Sequence, residues 1–131
     1  QGRRAWCLPL VFAALLFFGG WLGVAGVTPP IEAMIALSLA VFGVLAARQG
    51  TCSLVLGALL SGFFALFHGI AHGLESTAGS PLAFLIGMTA STLLLHLAGM
   101  ALGHGYLVRH HRAARTFGLG VAVWGLSLLA M

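Results

Sequence analysis

One stretch of this chain carries residue types that bind metal ions: Phe67-His68-Gly69-Ile70-Ala71-His72-Gly73-Leu74-Glu75. On a helix, His68 and His72 are one turn apart, and Glu75 lies two turns from His68. At 100° per residue the three fall within an arc of about 60°. Two imidazoles and a carboxylate on one face form a ligand set for a divalent transition metal. Gly69 and Gly73 leave that face uncrowded, so a partner helix or an ion can approach. The bland alternative is a pair of histidines that only hydrogen-bond across a helix interface. Against it stands scarcity: Glu75 is one of only two acids in the chain. Ionisable groups inside a membrane mark ion or substrate paths by default.

The elements that must position these residues are membrane helices. The chain has 131 residues, of which 60% are apolar and 6% charged. A soluble domain is about 25% charged, because charge covers its surface. Eight charged side chains cannot do that. A water-soluble monomer, a disordered chain and a nucleic-acid-binding domain are excluded. The net charge of +4 reflects a shortage of acids, and six scattered arginines make no basic stripe.

Turn and charge signals cut the chain into five apolar segments, at roughly 6–27, 31–47, 51–72, 81–107 and 116–131. Thr28-Pro29-Pro30 ends the first, since two prolines cannot continue a helix. Arg48-Gln49-Gly50 ends the second, and residues 73–80 read as a loop. Pro81 opens the fourth, and Arg109-His110-His111-Arg112-Ala113-Ala114-Arg115 reads as a polar connection. The first segment is about 33 Å long as a helix, enough to cross a bilayer core. Runs of this length, apolar on all sides, suit helices that satisfy their own backbone. The expected fold is all-α: a polytopic transmembrane bundle of five helices, forming a single domain over residues 1–131.

Five crossings sort the charges completely. Arg3, Arg4, Arg48, Arg109, Arg112 and Arg115 fall on one side, Glu32 and Glu75 on the other. The positive-inside rule makes the arginine side cytoplasmic and the His68/His72/Glu75 end external. Cys7 and Cys52 fall on the cytoplasmic side, where thiols stay reduced. Glycines at helical spacing (Gly19, Gly23 and Gly26; Gly57 with Ser61; Gly99 and Gly103) read as close-packing positions.

His96 lies about 15 residues, or roughly 22 Å, into the fourth helix. It is the candidate for a second, deeper metal station. Its structural alternative is an interhelical hydrogen bond to a Ser or Thr. His104 is a weaker candidate, and His110 and His111 read as solvated loop residues. Met34, Met88 and Met100 offer thioethers, but methionine ordinarily packs.

From the residues alone, three functions compete. The first is a metal-ion permease. The second is a haem-binding electron carrier using His68 and His96, opposed by an expected depth difference of roughly 14 Å. The third is an accessory or scaffold subunit. An enzyme is disfavoured: the chain has no Asp and no His-Glu-x-x-His. It also has no Lys and no phosphate-binding loop, so transport would not run on its own ATP hydrolysis.

Residues 67–75 resemble the signature of the HupE/UreJ family, the hydrogenase/urease accessory membrane proteins. Every fixed position of Phe-His-Gly-x-Ala-His-Gly-x-Glu is present. The Gly-rich helices and Leu-Leu-His-Leu-Ala-Gly at 94–99 also look like that family. The resemblance implies a multi-pass permease of the bacterial inner membrane that brings in Ni²⁺, or Co²⁺ in some members, for nickel enzymes. The metal would be cargo, not a permanently bound cofactor. The implied partners are a divalent ion and the bilayer, with homo-oligomers compatible and no nucleic acid. The family's motif residues carry over to His68, His72 and Glu75. One departure stands out. The family also bears an earlier helix with a His-Pro pair, a Gly and an Asp-His pair, and this chain lacks any Asp. The expectation is a chain that begins after that helix, with six crossings in the complete protein.

Overall fold

The computed structural model describes residues 6–49, 52–76, 79–107 and 109–131. They form α1 (Cys7–Val24), α2 (Ile31–Arg48), α3 (Leu54–Glu75), α4 (Pro81–Leu102), a π-helical turn (Gly103–Leu107) and α5 (His111–Leu129). Among the described residues there is no strand. Helices α1 to α4 are long and apolar enough to cross a membrane. The protein is an all-helical, multi-pass membrane protein. Helix α5 is 19 residues long but spends its first two turns on His111, Arg112 and Arg115.

Local chemistry explains most of the boundaries. Ser53 caps α3 by accepting a hydrogen bond from the Leu56 N–H at 3.1 Å. Ser80 does the same for Ala83 in α4, with Pro81 at the first helical position. Just past the end of α1, after the C-cap Ala25, Gly26 has a left-handed φ of 85°. Gly26 N–H donates to the Gly23 carbonyl and Val27 N–H to the Leu22 carbonyl, the paired bonds of a Schellman motif. Gly26 therefore stops a helix, has nothing within reach of a Cβ among the described residues, and is not the packing position its spacing suggested.

Several boundaries differ from the sequence reading: α1 ends at Val24, not Val27, and α3 begins at Leu54, not Thr51. Helix α3 runs on through Glu75, so the loop begins at Ser76. Gly73 does not break it, because Gly73 is buried at a helix contact. Helix α5 begins at His111, not Thr116, so part of the expected polar connection is helix. Charged residues in a first turn are fully compatible with a helix end that meets water. Arg3 and Arg4 lie outside the described residues.

The chain divides into two compact units. The first holds α1, α3 and α4 as far as His96. Here α1 and α3 run parallel: Gly57 sits by Leu8, Gly62 by Leu15, Gly19 by Leu66, and Gly23 by Ile70 and Gly73. Their seam is backbone on backbone. A Cβ on Gly19 or Gly23 would strike the Leu66 or Ile70 carbonyl, and one on Gly69 or Gly73 the Leu16 or Gly20 carbonyl. Lipid tails are as apolar as leucine, so association depends on such close approach. Helix α4 packs antiparallel to α1, with Leu85 against Gly20 and His96 near Phe12.

The second unit holds α2, the end of α4, the π turn and α5. Helices α2 and α5 run antiparallel on a seam that sequence spacing had not singled out. Gly43 lies on the Ala122 backbone, Gly118 on Ala47 and Gly125 on Ala40. Gly99 and Gly103, expected to pack, have nothing within reach of a Cβ among the described residues.

Candidate functional site

Helix α3 places the signature residues within its last two turns. Gly69 and Gly73 do admit a partner, and that partner is α1, not an ion. His68 and His72, each one residue before a seam glycine, consequently flank the α1–α3 contact.

At the end of α3, His72 Nδ1 lies 3.4 Å from Glu75 Oε2. Donor atoms that close can both reach a common ion at about 2.1 Å, the distance typical of zinc with N and O ligands. The pair is open to its surroundings, with side-chain exposures of 46% and 73%. One turn deeper, His68 is half-buried. Its Nδ1 is buried and makes no hydrogen bond of normal geometry, and the Phe64 carbonyl one turn back faces it. The His68 ring lies against Phe12 of α1, with centroids 6.4 Å apart.

His96 reaches the same phenylalanine from α4, at 4.8 Å between centroids. Its Nδ1 is 2.9 Å from the Thr92 carbonyl. A carbonyl only accepts, so Nδ1 carries a proton, which in a neutral imidazole leaves Nε2 as the ligating nitrogen. The expected alternative, an interhelical bond to a Ser or Thr side chain, is not what forms; His96 bonds back to its own helix. Thr89 and Ser91 do likewise, to the carbonyls of Leu85, Gly87 and Met88. In lipid this satisfies a polar group without any partner helix.

Both imidazoles contact Phe12, so their centroids are at most about 11 Å apart, the two centroid distances together. The depth difference of roughly 14 Å expected from helical rise is therefore too large. The cause is the extra turn of α3, which sets His68 seven residues back from its end. The haem alternative loses its depth objection and meets another, since Phe12 already packs on both rings. Phe12 was not foreseen; nothing in the sequence sets it apart from the other eight phenylalanines.

Among the described residues no three His, Cys, Asp or Glu converge as a ligand group. The structure joins His72 to Glu75 and, through Phe12, His68 to His96. His104 lies in the π turn, its side chain outside the described residues. His110 and His111 are exposed, as solvated residues should be, but His110 holds the N-cap position of α5 and His111 opens it. His110 donates to the Tyr106 carbonyl at 2.9 Å and stacks on the Tyr106 ring. His111 Nδ1–H donates to Gln49 Oε1 at 3.0 Å.

A multi-pass helical membrane protein with an imidazole–carboxylate pair closing one helix, and further histidines within the bundle, is the class that fold and site define. The HupE / UreJ protein family matches residues 1–128. Protein HupE of Rhizobium leguminosarum bv. viciae is 34% identical over 134 residues, covering 98% of this chain and 69% of that protein. The chain belongs to the HupE/UreJ family. No solved structure matches it.

Proposed function

We propose that this chain is the membrane-embedded body of a permease for a divalent transition metal, Ni²⁺ or Co²⁺, supplying nickel enzymes such as hydrogenase or urease. The observation that carries this reading is the His72–Glu75 pair, two donors of the right chemistry 3.4 Å apart and accessible at a helix end. Family membership supports the same reading.

In this reading Glu75 draws in the dication by charge, and His72 supplies a borderline-soft nitrogen that suits nickel or cobalt better than magnesium or calcium. His68 and His96 serve the ion deeper in. Water or residues elsewhere complete the coordination at each stage. Weak, incomplete binding suits transport, since an ion that is to cross must also leave. The bilayer is the bacterial inner membrane, with the arginine-bearing loops cytoplasmic and the Glu75 end external, as the positive-inside rule directs. The reading assigns the chain no chemistry on a substrate.

The test is accumulation of ⁶³Ni²⁺ or ⁵⁷Co²⁺ by cells expressing the complete protein, compared with His72→Ala and Glu75→Gln variants at equal abundance. Wild-type uptake above the empty-vector level that collapses in both variants supports the proposal. Uptake no greater than the empty vector, or unchanged in both variants, removes it and leaves a scaffold role in front.

A further inference from the structure

The second unit carries a basic feature that the metal reading does not use. Arg48 closes α2 and Arg115 lies in the second turn of α5. The two helices are antiparallel and held backbone to backbone at Gly43, Gly118 and Gly125. At the arginine end a reciprocal clasp ties them: Gln49 Nε2 donates to the His111 carbonyl at 2.6 Å, and His111 Nδ1–H donates to Gln49 Oε1 at 3.0 Å. Gln49 adopts a left-handed φ of 50° just past the helix end. The result is one groove of about 320 Å³ lined by Val44, Ala47, Arg48, Arg115 and Leu119.

The lining is ordered by depth. Val44 is one turn before Arg48, and Leu119 one turn after Arg115. Because the helices are antiparallel, both apolar side chains lie about 6 Å further along the groove, in the same direction from the two cations. Among the described residues neither guanidinium has an ion-pair partner. Glu32, the acid of this unit, begins the far end of α2, about 24 Å away. Two unneutralised guanidiniums above an apolar trough match a phosphate group with hydrocarbon beneath it. Guanidinium pairs phosphate oxygens in bidentate fashion, and basic pockets between transmembrane helices hold anionic headgroups.

We infer that the α2–α5 groove is a binding site for an anionic phospholipid, its phosphate held by Arg48 and Arg115 and its acyl chain lying on Val44 and Leu119. A free inorganic phosphate shares the headgroup chemistry but has no use for the apolar trough.

The test is native mass spectrometry of the complete protein in detergent, titrated with dioleoyl-phosphatidylglycerol, dioleoyl-phosphatidylcholine or inorganic phosphate. The expected result is a phosphatidylglycerol adduct about tenfold or more favoured over phosphatidylcholine, the scale of two basic groups near an anionic headgroup. Millimolar phosphate should not displace it. R48Q/R115Q should lose the preference, R48K/R115K should keep part of it, and R112Q, outside the groove lining, should keep it. Equal retention of the two lipids by the wild type overturns the proposal whatever the variants do. So does a preference that survives R48Q/R115Q. Displacement by inorganic phosphate would instead assign the groove to a free oxyanion.

Discussion

His72 and Glu75 face each other across three residues of α3, Nδ1 to Oε2 at 3.4 Å, and this contact exists only because the helix does not stop at Gly73. Had the chain turned at that glycine, the carboxylate would have sat in a loop with no fixed relation to the imidazole. Gly73 stays helical because α1 covers it: a Cβ there would strike the Gly20 carbonyl. Packing of α1 on α3 thus builds the His72–Glu75 pair.

Glu75→Gln keeps the shape of the pair and removes its charge. An amide oxygen is a poorer donor for a dication, so metal accumulation by the complete protein should fall by about tenfold or more, the scale of losing a metal-site contact. His68→Leu is the sharper test deeper in. If His68 only packs against Phe12, leucine should be tolerated in lipid and uptake should stay near wild type. Loss of uptake at normal abundance identifies His68 as part of the ion path. His110→Ala is the control, since His110 is engaged with Tyr106 and should leave uptake unchanged.

Proton competition gives a second expectation. Only a neutral imidazole binds metal, and an ordinary histidine takes up a proton near pH 6.5. Metal binding should therefore be strong above that pH and weaken as pH falls through it. Isothermal titration with Ni²⁺ between about pH 7.5 and 5 measures this. A flat profile over that range would exclude the histidines as ligands.

The α1–α3 seam predicts which glycines tolerate a methyl group. Gly69→Ala drives a Cβ into the Leu16 carbonyl, and a backbone atom cannot rotate away. It should cost about 1–3 kcal/mol, the usual range for overpacking. Gly99→Ala meets nothing among the described residues and should change stability by no more than about 0.5 kcal/mol. Thermal melts of the purified variants in one detergent check the contrast. Equal melting temperatures would mean that the seam is not as tight as described.

Orientation is checked by labelling. In a protein with Cys7 and Cys52 changed to serine, S80C should react with a membrane-impermeant maleimide in intact cells. R112C should react only after the membrane is opened. The reverse pattern would invert the assignment drawn from the arginines.

The all-helical membrane fold was legible in the sequence because lipid leaves so few options. A chain with eight charged side chains and long apolar runs must satisfy its backbone within each segment. Prolines and arginines then mark boundaries by purely local rules. The spacing of His68, His72 and Glu75 was equally local, a matter of 100° per residue. What the sequence could not decide was which glycine does which job, because a glycine is silent until something lies against it. Gly19, Gly23, Gly69 and Gly73 make a parallel seam, Gly26 bends the chain, and Gly99 meets nothing among the described residues. Nor could spacing find Phe12, which joins His68 to His96 across three helices, or bring Arg48 beside Arg115 across 67 residues of chain. Those juxtapositions are long-range. They come from how close two backbones can approach, and only the packed helices determine that.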